Sequence, residues 1–277
     1  MSAAARLWAP VASLMGALAA GACEDPAPAC ETVVGNVCAM AGSGELGFNG
    51  EGLRPRETDL YLPSAARRGP DERIYVMDFN NQRLRRIDDD GLVRTVIGSG
   101  FHAIADTGVP ALSTPLENPI DFRWDAAGRL VLVSYHDPRV LVLGDDGTLH
   151  AIAGADDGVV GTLGNEGDGG PATAALFIQL DGIAIAPAGT IYVSDSLANR
   201  VRRIAPDGTI DTIAGSGEQG YAGDGGPGPL AALYWPSALE LAADGTLYVA
   251  ETRNHVIRRI APDGTIDTLA GDGTAGF

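Results

Sequence analysis

An all-β propeller is the fold this sequence predicts, on three observations. Four stretches of similar sequence recur at nearly constant pitch: their second apolar runs begin at Ile74, Leu130, Ile191 and Leu247, spaced 56, 61 and 56 residues. Each stretch holds four short apolar–polar alternations separated by tight-turn residues, which is the pattern of a four-stranded antiparallel blade. Glycine is abundant, at 38 of 277 residues, aromatics make up only 6%, and no segment shows the period of a long amphipathic helix.

Reading from the N-terminus, MSAAARLWAPVASLMGALAAGAC has one arginine, Arg6, an apolar stretch from Leu7 to Ala20 and then small residues. That is the layout of a secretory signal, too short for a transmembrane helix. Ala20-Gly21-Ala22 fits the small-residue cleavage rule and Cys23 follows, so the segment resembles a bacterial lipoprotein leader. The expectation is a signal peptide over 1–22 and lipid attachment at Cys23. Ordinary cleavage at the same bond and an uncleaved anchor are the alternatives. Residues 23–34 are rich in Pro and Ala and read as a tether. With Cys23 lipidated, Cys30 and Cys38 remain, and in an exported chain they are expected to form a disulfide.

The propeller is expected over 35–277. In the third repeat the four strands are GIAIAP (182–187), TIYVSD (190–195), RVRRIA (200–205) and TIDTIAG (209–215). Pro187-Ala188-Gly189 and Pro206-Asp207-Gly208 make the turns. A second marker keeps the same pitch: Leu60-x-x-Pro63, Leu116-x-x-Pro119, Leu176-x-x-Gln179 and Leu233-x-x-Pro236. The second repeat is worn, with Ser134 in place of Asp78 and Asp195, and Leu141-Val142 in place of Arg-Arg. It should keep the blade and lose its polar pairings. Residues 36–52 match a fourth strand and its loop, giving five fourth strands against four of every other kind. The count predicts four blades plus an extra N-terminal fourth strand, in a propeller that is incomplete or open and lacks C-terminal blades. Such an exposed edge invites pairing.

The run Tyr192-Val-Ser-Asp-Ser-Leu-Ala-Asn-Arg-Val-Arg-Arg-Ile204 resembles the signature of NHL repeats. The Gly-rich loops ending Gly-Asp-Gly-Gly-Pro, at 167–171 and 223–227, resemble the larger bacterial variety, similar to the NHL region of teneurins. The resemblance spans roughly 35–277 and implies a propeller of about six blades.

Net charge is −17, so nothing would neutralise phosphates and nucleic acid is excluded as a partner. Three G-x-G-x-x-G matches, at 42–47, 215–220 and 271–276, follow strands but open no helix, so they are loop features and not dinucleotide sites. Asp78, Asp195 and Glu251 hold equivalent positions at the end of the second strand. Arg83 and Arg200 follow the two aspartates by five residues, and buried Asp–Arg pairs are expected there. The mid-strand pairs Arg85-Arg86, Arg202-Arg203 and Arg258-Arg259 put only one arginine on each sheet face and are expected to bridge blades. Asn165, Asp168 and Asp224 lie in oxygen-rich Gly-Asp loops that are either turn chemistry or a calcium site. The four histidines, His102, His136, His150 and His255, show no metal spacing.

These readings predict no catalytic residues and no cofactor apart from the calcium alternative. They describe a binding or scaffold module of the cell surface or periplasm that presents its loop-lined face to a protein or carbohydrate. The membrane is met only through the lipid anchor. The alternative is a lactonase-like propeller hydrolase or lyase with a metal at the central channel. It requires Asp78, Asp195, Glu251 and His255 to converge.

Overall fold

The computed structural model describes residues 38–155 and 166–276. The chain divides into residues 1–39 and 40–277. Of the first unit only residues 38–39 are described; Cys38 is disulfide-bonded, and Cys23, Cys30, the leader and the tether lie outside the described residues.

The second unit is four antiparallel meanders, each a blade with its strands in chain order. Blade 1 comprises β1 (Pro63–Arg68), β2 (Ile74–Asp78), β3 (Arg83–Ile87) and β4 (Val93–Ile97). Blade 2 comprises β5 (Pro119–Trp124), β6 (Leu130–Ser134), β7 (Val140–Leu143) and β8 (Leu149–Ala153). Blade 3 comprises β9 (Leu180–Ile185), β10 (Ile191–Asp195), β11 (Arg200–Ile204) and β12 (Ile210–Ala214). Blade 4 comprises β14 (Pro236–Leu241), β15 (Leu247–Glu251), β16 (Val256–Ile260) and β17 (Thr265–Ala270), with the two-residue β13 (Gly226–Pro227) added at its outer edge. Helical structure among the described residues is limited to single 3₁₀ turns. Residues 38–52, which match a fourth strand in sequence, are irregular in the structure. A strand needs a neighbour for its backbone groups, and no third strand stands beside this segment; its chain first joins a sheet through the bridge Leu53–Val93.

Successive residues of a strand point to opposite faces, and the blades carry apolar side chains on both, so successive blades press these faces together. The core is therefore three separate seams. Tyr75, Met77 and Leu84 of blade 1 meet Leu130, Leu132 and Leu141 of blade 2. Val131, Val133 and Val140 of blade 2 meet Ile183, Val193 and Ile210 of blade 3. Ala184, Val201 and Ala214 of blade 3 meet Leu239, Val249 and Ile260 of blade 4. No fourth apolar seam joins blade 4 to blade 1 among the described residues, so the arrangement is open, as the strand count predicts. The residues of blade 4 equivalent to Ala184, Val201 and Ala214 are Glu240, Ile257 and Ala270. They are exposed or half-buried, and Leu269 beside them is 52% exposed.

The inner strands also meet through charge. Asp121 on β5 accepts Nη2 of Arg67 at 2.6 Å, Nη1 of Arg123 at 2.9 Å and the amide of Ile183 at 3.4 Å, tying blades 1, 2 and 3. Arg123 reaches on to the Leu239 carbonyl at 3.1 Å and Glu240 at 3.3 Å on blade 4.

Candidate functional site

The repeated acids and arginines form one structural device per blade. Asp78, Asp195 and Glu251 are at most 1% exposed. Each accepts the backbone amide of a residue 17 positions upstream, namely Tyr61 at 2.7 Å, Ile178 at 3.0 Å and Tyr234 at 2.9 Å. The carboxylate thus anchors the segment that enters each first strand. Burial pushes all three acids up, Asp195 to about 6.

Their charge partners differ from the expected ones. Arg83 and Arg200 stand opposite Asp78 and Asp195 in register, yet neither forms an ion pair with them. Arg83 donates to the carbonyls of Asn81 and Ser99 at 2.8 Å each and stacks on Phe48 at 3.8 Å. Arg200 donates to the Ser216 carbonyl at 3.0 Å. The carboxylates are already taken by backbone amides and, in blade 1, by Asn81 Nδ2 at 2.8 Å, so the two arginines close the ends of their sheets instead.

The arginine two residues further on is the buried one. Arg85, Arg202 and Arg258 are at most 1% exposed. Each meets an acid exactly one loop back, at a constant separation of 34 residues: Glu51 at 3.7 Å, Asp168 at 2.7 Å and Asp224 at 2.6 Å. Arg258 also pairs with Glu251 at 3.1 Å and Arg85 with Asp78 at 3.5 Å. An aromatic ring lies against each guanidinium: Phe48, Phe177 and Tyr221. The second arginine of each pair stays within its own blade, where Arg86 meets Asp88, Arg203 meets Asp211 and Arg259 meets Asp267. Bridging therefore falls to the first arginine, through the loop from the preceding blade.

The acids of the Gly-Asp loops are thus ion-pair partners of the buried arginines. The carboxylates of Asp168 and Asp224 are occupied by guanidinium, and Asn165 lies outside the described residues. Among the described residues no group of three His, Cys, Asp or Glu could hold a metal ion.

Blade 2 replaces the whole device at once. Thr107, Ser134 and Leu141 stand where the loop acid, strand acid and buried arginine would be. In their place Arg139 pairs with Asp137 at 2.7 Å, both almost fully buried, and donates to the Ala105 carbonyl at 2.6 Å. The arginine equivalent to Arg83 does find an acid here, because Asp137 replaces Asn81.

The recurrent Gly-x-Gly is also explained. A Cβ on Gly98, Gly154, Gly215 or Gly271 would lie 2.0–2.3 Å from a backbone carbonyl of the turn between the second and third strands. A Cβ on Gly100 or Gly217 would collide with the guanidinium of Arg83 or Arg200.

The strand order sorts the hairpin turns of the blades into two chemically different sets. The lower face carries the turns joining strands one to two and three to four, and there Asp71, Glu72, Asp89, Asp90, Asp145, Asp146, Asp207, Asp244 and Asp263 are exposed. Several of these hold their own turn: Asp207, Asp244 and Asp263 accept the amide two residues on at 2.9–3.0 Å, which keeps their carboxyls below the usual range. The upper face carries the turns joining strands two to three: Phe79-Asn-Asn-Gln82, Tyr135-His-Asp-Pro138, Ser196-Leu-Ala-Asn199 and Thr252-Arg-Asn-His255. Their one carboxylate, Asp137, is buried in its ion pair.

At the inner rim of the upper face, three blades build a cluster that sequence reasoning missed. Asp181 on β9 is 6% exposed and accepts Nε1 of Trp235 and Nε2 of Gln179, each at 3.1 Å. Gln179 also donates to Ser196 Oγ at 3.1 Å. Burial pushes Asp181 up to about 6, and no cation stands against it. Burial, and then the charge of Asp181, raise the Tyr135 phenol. Tyr135 packs edge-on against Phe79 at 5.6 Å and lies beside His136. Arg253 stacks over Trp235 at 5.2 Å. His136 and His102 share the Glu117 carboxylate at 3.2 and 2.7 Å. His255 is exposed, with φ of 54°. The visible signal was a carboxylate set inside an apolar strand pattern, as in Leu180-Asp181-Gly182-Ile183, with Trp235 just before a strand-opening proline.

These shifts fix a pH dependence. Asp121, Asp181 and Asp195 sit near 6 when folded, above the unfolded value of 3.8, so the fold binds their protons more tightly. Their contribution is full below about 4 and is lost as pH rises through 6. The turn aspartates act oppositely: their folded values are depressed, Asp90 to about 2, so their contribution is lost as pH falls below 4. The melting temperature should peak near pH 5 and fall towards pH 8, and Asp181→Asn should flatten that fall. A melting curve flat from pH 5 to 8 in the parent chain would contradict the buried-acid account.

A family model described as "Teneurin NHL domain" matches residues 49–224 of the chain. Teneurin-m of Drosophila melanogaster is 26% identical over 245 residues, covering 80% of this chain. Teneurin-1 of Gallus gallus is 26% identical over 258 residues, covering 82% of it. The chain spans 9% of the length of these relatives. Among solved structures, an auxiliary nutrient binding protein from Bacteroides ovatus superposes with a TM-score of 0.53 at 14% identity, covering 77% of this chain and 50% of that one. A chain of a nidogen/laminin complex gives 0.51 at 16% identity, covering 77% and 65%. These superpositions speak for the propeller fold alone. Repeats, four-stranded blades and family match agree, and the chain belongs to the teneurin NHL domain family.

Proposed function

We propose that the chain is a non-catalytic binding module that meets its ligand, a protein or a carbohydrate, with the upper face. The observation that carries this reading is the asymmetry of charge. In a protein of net charge −17, the four turns joining strands two and three expose aromatic, amide and basic groups and no carboxylate, exposed acids of that end, Glu45, Glu218 and Asp272 among them, standing on the Gly-rich loops beside them. Leu197 and Leu62 add apolar surface there, at 45% and 57% exposed. The acidic lower face keeps the molecule soluble and repels anionic surfaces. Against the lyase or lactonase reading, Asp78, Asp195 and Glu251 are each engaged within their own blade rather than directed to one point. The leader over 1–22 and Cys23 support export and a lipid anchor, with the propeller displayed in the periplasm or at the surface.

The test is an array of immobilised polysaccharides and extracellular protein domains probed with the full chain. Binding should be abolished by Leu197→Asp and survive Asp207→Asn with Asp244→Asn. Binding that fails only in the lower-face variant, or lactone hydrolysis by the purified chain, would overturn the reading.

A further inference from the structure

We infer that the inner rim around Trp235 and Arg253 is a subsite for an acidic saccharide, a sugar bearing a carboxylate. The inference rests on the upper face being the binding face and names the ligand class it takes.

Arg253 is the first argument. It is exposed, and among the described residues it meets the Trp235 ring, at 5.2 Å, and no carboxylate. Most arginines of this acidic chain meet a carboxylate or a carbonyl, including every buried one. A guanidinium stacked on an indole keeps its N–H fork in plane and unused, and that fork matches a carboxylate bidentately. Trp235 is itself held in place: its Nε1 is tied to Asp181 at 3.1 Å and its backbone amide to Asn199 Oδ1 at 3.2 Å. The cation is therefore presented on a fixed platform and not on a free stem.

The surroundings select a sugar over a peptide. Trp235, Tyr135 and Phe79 offer half-exposed ring surface along the rim, the kind on which the C–H face of a pyranose packs. The polar groups between and beside them are neutral and bonded to one another: Gln179 with Ser196, and Asn118 with Gln82 at 3.1 Å. Such groups exchange partners readily with hydroxyls. The exposed ionisable groups of the four upper turns are Arg253, His136 and His255, none of them acidic. An anionic ligand meets no repulsion from these turns, and the carboxylates of the rim itself are engaged, Asp181 by Trp235 and Gln179 and Glu117 by His102 and His136.

The experiment is isothermal titration of the full chain with trigalacturonate, with the carboxyl-reduced neutral trisaccharide, and with a hexaglutamate peptide. Trigalacturonate should bind, the neutral sugar should bind at least tenfold more weakly, and the peptide should not compete. Arg253→Gln should abolish the preference for the charged sugar while the weaker neutral binding persists. Trp235→Ala should lower binding of both at least tenfold, and thermal melting reports whether that variant is folded. Charged and neutral sugars binding equally, or Arg253→Gln leaving the preference intact, would overturn the acidic-saccharide assignment while the upper face remained a binding face. Peptide competition would make the ligand an acidic protein segment and equally overturn it. No binding of any probe, together with array binding lost in the lower-face variant, would remove both readings.

Discussion

Gly215→Ala should lower the stability of the folded chain by roughly 3 kcal/mol or more, among the largest effects of any single methyl group in this protein. Gly215 has φ of +93°, and an added Cβ would lie 2.0 Å from the Asn199 carbonyl and 2.9 Å from Arg200 Cα. Both atoms are backbone of the turn between β10 and β11, so nothing can swing aside. The informative control is Gly208→Ala. That residue also has a positive φ, +84°, but nothing lies within 4 Å of its Cβ position. Only conformational strain remains there, about 1 kcal/mol. Denaturant unfolding of the two variants should differ by about 2 kcal/mol or more. Equal losses would mean that φ alone accounts for the recurrent glycine, and the close approach would be irrelevant. The same glycine recurs at 98, 154 and 271 against the same turn, so the apparent dinucleotide motif is a steric requirement of the blade.

Arg258→Leu should be comparably damaging, for the opposite reason. It leaves Glu251, 1% exposed, with no cation and strips Asp224 of its partner. Breaking one side of a buried ion pair costs about 3–5 kcal/mol. The chain itself supplies the remedy, since blade 2 folds with Thr107, Ser134 and Leu141 at these three positions. The triple variant Asp224→Thr, Glu251→Ser, Arg258→Leu should therefore recover more than half of the single variant's loss. Chemical denaturation of single and triple variants reads the difference. A triple variant no better than Arg258→Leu would show that blade 4 needs its charges for some purpose other than mutual neutralisation.

The repeat was legible because it is local. Turn glycines, Pro-Asp-Gly links and two-residue alternation act within ten residues of chain, and the strands of blade 3 fall within a residue or two of where the pattern puts them. The buried acids were legible as positions but not as pairs. Asp78 and Arg83 look like partners because the hairpin sets them opposite each other. What prevents the pair is distant: the Tyr61 amide already takes Asp78, and Gly100, past the fourth strand, leaves the space that the Arg83 guanidinium fills. The arginine that is buried finds its acid 34 residues back, in the loop from the preceding blade. That separation is constant across three blades, so the signal was present, but nothing local marks it as a contact.

The inner rim was the least legible part. Asp181, Ser196, Tyr135, Trp235 and Arg253 come from three blades, and apart from Tyr135 and Ser196 they share no repeat position. Sequence by itself determined the blade, its number of copies and the worn second copy, because these follow from backbone geometry and periodic burial, whereas the fourth strand it suggested before the first blade is irregular for want of a neighbour. Tertiary structure alone decided which guanidinium each carboxylate meets, and that the acidic turns gather on one face while the aromatic and basic ones gather on the other. The reason is topological: in a meander, the turns after strands one and three lie at one end and the turn after strand two at the other. The charge of the hairpin turns is thereby sorted in space, while the loops after the fourth strands carry acids to the upper end as well.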